Sequence, residues 1–348
     1  MKYSQNSNLQ NENEYTYVNG YGFTYNAPQF REKALIKSYA NAAAISIISI
    51  FLLKLLLSPI IKNSIMFFLQ LIPVLSNLRN NQILVSYISD ILVYFFALML
   101  PFFFYAKTLK IPMSVAFPIN APDNKKFFPV VAFSMGVSVI GIITSIIFAL
   151  LLNIFGFSFS AEAVYPPKDI VELLIFITKS VFLAAVTEEF VFRGAVLQSL
   201  RRFGDGFAII VSSIIFAAVH ANFVQAPTAF LMGITLSFAV IITRSIWTGV
   251  TIHILHNGFL VILTVLEPYL SDNAYYLLII GTFLFLLLIS ILGIIILAKN
   301  FNYLFELKPT KTIYKTSEKI TIYLTTISMI ITMLMLFSMC MQSVQYLG

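Results

Sequence analysis

Nine apolar stretches dominate this sequence. Each is long enough, or nearly so, to cross a hydrocarbon core of about 30 Å at ~1.5 Å of helix rise per residue. They run approximately over 40–58, 83–106, 130–157, 169–199, 207–221, 227–243, 246–266, 274–298 and 320–341. Over the whole chain charge is scarce: 11% of residues are Asp, Glu, Lys or Arg, where a soluble domain carries about 25%. A soluble protein is excluded. The expected fold is an all-α polytopic transmembrane bundle of about nine membrane-spanning helices. The stretches 207–221 and 227–243 are short, so they should pack inside the bundle or lie deep and tilted. A further apolar run, 64–76, contains Pro73 and reads as interfacial or re-entrant.

The flanks divide the chain into four parts. Residues 1–36 are rich in Asn, Tyr, Gln and Glu, lack the apolar core of a secretory signal, and read as a disordered cytoplasmic tail. N-terminal membrane helices occupy 37–168, a central block of membrane helices 169–266, and C-terminal membrane helices 267–348. Cys340 is the sole cysteine, which rules out an internal disulfide and a cysteine metal cluster. With the N-terminus placed in the cytoplasm and the nine stretches alternating, sixteen Lys and Arg fall on the cytoplasmic side. Only Lys62, Arg79 and Lys168 fall outside. That bias obeys the positive-inside rule, and it assigns the net charge of +7 to anionic lipid headgroups, with no nucleic acid implied.

Two adjacent glutamates, Glu188 and Glu189, sit in the middle of the fourth stretch. A carboxylate at bilayer depth is costly and calls for a function and a partner. Glu189 and Arg193 are four residues apart and share a helix face, so an ion pair is expected between them. Glu188 is rotated by about 100° from Glu189 and must find its partners on other helices. The three histidines of the chain, His220, His253 and His256, lie in nearby apolar stretches. Counted from the cytoplasmic ends of their helices, Glu188 lies roughly 18 Å deep and His220 about 20 Å. On the same count His253 and Asn257 lie roughly 10 and 16 Å deep. These groups share one layer of the bilayer. Asp90, in the second stretch, reads as a buried hydrogen-bonding group.

A carboxylate, two imidazoles and a carboxamide converging in an apolar bundle suit hydrolysis. The carboxylate can act as general base on water, an imidazole can share that work, and a second imidazole with an amide N–H can hold an oxyanion. Glu188, His220 and His253 could instead bind Zn²⁺ with water in the open position. The residues alone do not choose between the two.

The same residues carry a resemblance. Glu188-Glu189-Phe190-Val191-Phe192-Arg193, Phe216-Ala217-Ala218-Val219-His220 and His253-Ile254-Leu255-His256-Asn257 are similar to three motifs of one family. These are the Glu-Glu-x-x-x-Arg, Phe-x-x-x-His and His-x-x-x-Asn motifs of the CAAX protease and bacteriocin-processing family (CPBP, or Abi) of intramembrane proteases. The resemblance covers roughly 170–265 and implies a CPBP-type core. It implies water activation by Glu188 and His220. His253 and Asn257 would stabilise the oxyanion, or His253 would bind the metal in a metalloprotease version. Glu189 and Arg193 take supporting roles, and His256 reads as a supporting or packing residue beside them.

The expected activity is thus endopeptidase cleavage of a peptide or membrane-protein substrate within a cell membrane. The Ile-, Asn- and Lys-rich composition suits a low-GC bacterium. Two other classes compete: a non-catalytic membrane scaffold or bacteriocin self-immunity protein, and a proton-coupled transporter using Glu188 and Asp90.

Overall fold

The computed structural model of the protein describes residues 15–18, 22–25, 28–72, 82–159, 169–300 and 312–346. They form an all-α polytopic membrane bundle. The long helices are α1 (Pro28–Leu71), α2 (Gln82–Thr108), α3 (Asn124–Ile154) and α4 (Ile170–Phe203). There follow α5 (Asp205–Val219), α6 (Ala226–Thr243), α7 (Ile246–Leu266), α8 (Asp272–Asn300), α9 (Thr316–Leu324) and α10 (Ile327–Met341). Two ribbons complete the described residues: β1 (Tyr15–Val18) with β2 (Gly22–Tyr25), and β3 (Phe157–Phe159) with β4 (Val344–Tyr346), both antiparallel.

All nine apolar stretches are helical, but they do not all cross alike. Seven helices among the described residues are long and apolar enough to span: α1 to α4 and α6 to α8. Helices α9 and α10 make an eighth span only if counted together, since they are bent by 71° at their junction. With 15 residues, α5 reaches only about 22 Å and stays inside the bundle.

Two expectations about the flanks need correction. Residues 64–71 are no separate interfacial element, because α1 runs unbroken through Lys62-Asn63-Ser64 and past Pro59. Residues 73–76 of that run lie outside the described residues. Within 1–36, Tyr15–Val18 pairs with Gly22–Tyr25 and α1 already starts at Pro28. The alternating aromatic and β-branched residues on either side of Asn19-Gly20 are a hairpin signal that the polar composition concealed. Residues 1–14 lie outside the described residues.

Local chemistry sets the helix ends that position the site. Asp169 caps α4 by accepting from the Glu172 N–H at 2.8 Å. Gly204, with φ of 117°, makes the break between α4 and α5 that an L side chain would resist. Helix α5 ends at Val219 with His220 as its cap residue, and Ala221 turns the chain at φ of 48°. Arg244, also left-handed, ends α6, and Ser245 starts α7 by accepting from the Trp247 N–H at 3.3 Å.

Helix contacts are close where side chains are small, as expected where hydrocarbon supplies no driving force between helices. A Cβ added at Gly233 would fall 2.8 Å from Ser213 Cβ, so α5 and α6 touch at that point. The largest buried cluster joins α1, α2, α4, α5 and the α9–α10 pair, with Phe102, Phe192, Phe207 and Phe216 at its centre. It forms a firm wall behind the polar layer.

Candidate active site

The site is built on α4, whose interior departs from α-geometry twice, at Thr178–Leu183 and at Glu189–Val196. Both segments are π-helical. Such turns insert a residue and are common at functional sites. Glu189 and Arg193 lie in the second, both essentially inaccessible, and Arg193 Nη1 donates to Glu189 Oε1 at 2.8 Å. The expected ion pair is therefore present. It satisfies one guanidinium N–H; Nε and Nη2 make no hydrogen bond among the described residues. The guanidinium instead lies over the Phe216 ring, 4.1 Å from its centroid, in a cation–π contact.

Glu189 Oε1 accepts a second bond from His253 Nδ1 on α7, at 2.9 Å. A carboxylate can only accept, so Nδ1 carries the proton and the ring orientation of His253 is fixed. The other ring nitrogen, Nε2, stands 3.9 Å from Glu188 Oε2. The close packing of α7 on Glu189 requires Gly249: a Cβ there would lie 2.6 Å from Glu189 Oε2. Two adjacent carboxylates thus do different things. Glu189 holds both Arg193 and His253 through Oε1, whereas Glu188 sets Oε2 beside His253 Nε2; Oε2 of each carboxylate makes no hydrogen bond among the described residues.

The remaining oxygen of Glu188, Oε1, accepts from the Tyr94 hydroxyl of α2. Sequence reasoning missed this residue. The chain has 17 tyrosines, and nothing in the spacing of this one marks it. The Tyr94 ring is in turn approached by Lys54 of α1, with Nζ 5.7 Å from its centroid.

His220 belongs to the same constellation through Phe216, whose ring meets those of His220 and His253 edge-on at 4.8 and 6.0 Å. His220 Nδ1 donates to the Phe216 carbonyl at 2.7 Å, which leaves Nε2 as the acceptor nitrogen of the neutral ring. Asn257 donates one amide N–H to the Ser180 carbonyl, in the first π-segment, at 2.9 Å. His256 turns away from the carboxylates and bonds Ser138 of α3 through Nδ1.

His220, His253, His256 and Asn257 line one cavity of about 810 Å³, shared with α3, α6 and the β3–β4 ribbon. Glu188 meets this cavity through His253 and does not line it. The structure thus brings Glu188, Glu189, Arg193 and His253 into direct contact, and gathers His220 and Asn257 with His253 around one space.

Asp90 departs from expectation. It is an exposed residue whose carboxylate pairs with Lys179 of α4 at 3.2 Å, so it is neither buried nor joined to Glu188. Lys179 supplies its counter-charge. Among the described residues no three His, Cys, Asp or Glu side chains gather closely enough to hold an ion, Glu188, His220 and His253 included. As they stand, these groups do not form a zinc site.

Comparison with known proteins bears on the same segment. Residues 170–259 match the family described as "Type II CAAX prenyl endopeptidase Rce1-like". The chain is similar to the "Membrane-embedded CAAX protease MroQ" of Staphylococcus aureus (strain USA300), 36% identical over 101 residues. That match covers 27% of this chain and 41% of the relative. It is also similar to the "Putative membrane peptidase YdiL" of Bacillus subtilis (strain 168), 30% identical over 117 residues, or 33% of this chain and 48% of the relative. The chain thus spans less than half the length of the curated relatives it matches. No solved structure matches it.

Proposed function

With its segment 170–259 matching the Rce1-like CAAX prenyl endopeptidases, we propose that this multi-pass membrane protein is an intramembrane endopeptidase that hydrolyses a peptide bond with a Glu188- and His220-activated water. The single observation that carries the reading is the division of labour between the adjacent glutamates. Glu189 orients Arg193 and His253 through Oε1 alone, while Glu188 sets Oε2, which makes no hydrogen bond among the described residues, 3.9 Å from the other ring nitrogen of His253.

The proposed reaction uses side chains alone. Water attacks the scissile carbonyl carbon and gives its proton to Glu188 Oε2, with His220 Nε2 as a second acceptor. The carbonyl oxygen takes up the negative charge. It is held by the second amide N–H of Asn257 and by His253, whose ring is fixed through Nδ1–H on Glu189. Collapse of the tetrahedral intermediate breaks the C–N bond, and the proton held by Glu188 passes to the leaving amine. Buried donors fixed by Glu189 and Ser180 need little reorganisation when charge develops, which is the source of their effect. The cytoplasmic placement of the N-terminus, inferred from the Lys and Arg distribution, belongs to the same proposal.

The test compares peptides in membranes and medium from cells expressing wild type or Glu188→Gln at matched membrane levels, by mass spectrometry. Peptides produced only with the wild type are expected, and their ends identify the bond cut. Identical peptide populations, with the variant folded and inserted, overturn the reading and favour a scaffold or immunity role.

A further inference from the structure

The ribbon of β3 and β4 takes no part in the chemistry above, and both strands lie outside the segment matched by the family. Yet the cavity that holds His220, His253 and Asn257 is also walled by Phe157 and Ser158 of β3 and by Ser343, which immediately precedes β4. The ribbon stands at its outer end, near exposed Asn153 and Leu150, while His253 and His256 are buried at the inner end.

We propose that the β3–β4 ribbon receives the peptide to be cut as a third strand, laid in extended form along the cavity mouth, with alternate apolar side chains directed into the cavity. The proposal rests on the endopeptidase reading and specifies its substrate class. Three features carry it.

First, the pairing is limited to two strands: Phe157 opposes Tyr346, Ser158 opposes Gln345 and Phe159 opposes Val344. Among the described residues each strand has one neighbour, so the backbone N–H and C=O groups that alternate residues turn outward have no strand partner there, the template on which peptides add by main-chain pairing. A two-stranded ribbon is marginal alone and gains from a third strand.

Second, the ribbon is anchored at its base. Gly156 turns α3 into β3 at φ of 82°, and a Cβ there would lie 3.1 Å from the Tyr346 ring. The Phe157 and Tyr346 rings pack 5.5 Å apart.

Third, the chemistry demands an extended substrate. A helical peptide keeps its carbonyls in i→i−4 bonds and shields them from attack, whereas a strand exposes them and alternates its side chains with a period of two. The side chains pointing inward meet Ile142, Ile146, Met232 and Leu260, which are apolar.

The experiment uses the full-length protein in detergent micelles with internally quenched peptides of alternating leucine and serine. One backbone N–H at a time is then removed by N-methylation, leaving every side chain in place. Hydrolysis of the parent peptide is expected. Cleavage should fall on the order of tenfold at every second methylated position and be retained at those between. A parent that is cleaved with no period-two pattern overturns strand docking while the endopeptidase reading stands. Failure to cleave any leucine–serine peptide overturns the substrate class, and the cellular peptide comparison then decides separately whether the protein is a peptidase.

Discussion

Tyr94 is the residue that most alters the picture drawn from sequence. Its hydroxyl holds one oxygen of Glu188, and thereby the aim of the other. A hydrogen bond to a charged group contributes about 1.5–3 kcal/mol, so Tyr94→Phe is expected to slow peptide cleavage by about tenfold or more. Substrate affinity and thermal unfolding should change little; turnover at saturating peptide, with an unfolding curve in detergent, checks this. The buried Glu189–Arg193 pair predicts the opposite pattern. Arg193→Ala leaves a buried carboxylate without its cation, a loss of roughly 3–5 kcal/mol, so it should lower the unfolding temperature and the membrane level together. An unchanged unfolding temperature would contradict the account of this pair. Much of this was legible: four-residue spacing announced the pair of Glu189 with Arg193, and the scarcity of histidine announced the layer. Tyr94 was not, because it is one of 17 tyrosines and its spacing does not single it out. Asp90 was misread for a related reason. Its depth along α2 was legible, but its facing Lys179 on α4 depends on packing.

At the scale of elements, helix contacts hold the site to its geometry. Helix α7 can bring His253 against Glu189 only because Gly249 has no side chain. Gly249→Ala would place a methyl group 2.6 Å from Glu189 Oε2 and 2.9 Å from Val240 Cγ2. We expect this variant to insert normally and to lose most cleavage, since displacing Glu189 frees His253; cleavage rate at matched protein level is the measurement. Gly233→Ala should act differently, forcing α5 from α6 against Ser213 Cα at 2.9 Å, and should show first as lower thermal stability. The nine helical segments were readable from hydropathy, because length and apolarity suffice to specify a helix in lipid. Three features were not readable. The π-turns of α4 leave no mark in its composition. The bend between α9 and α10 falls at Thr325-Thr326 without a proline or glycine. The continuity of α1 through Lys62-Asn63-Ser64 was hidden by a polar step that hydropathy takes for a loop.

On the scale of the whole molecule, the proposed catalytic layer lies between 188 and 257, while the outer end of its cavity is supplied by residues from either side of that segment. Stopping the chain after Gln342 removes β4 and should reduce cleavage strongly while leaving membrane insertion intact; comparing released peptides with membrane level checks both halves. The ribbon also joins residues far apart in the chain: Ser158 and the Gln345 carbonyl meet across 187 positions. Synthesis proceeds from the N-terminus at about 5–20 residues per second, so β4 leaves the ribosome roughly 5–20 s after His253 and Asn257. Through that interval a newly inserted chain holds its acid, base and donors but has no strand on which to seat a peptide. In the proposed docking, such a chain is inert toward its neighbours in the translocon, and competence to cut arrives with β4.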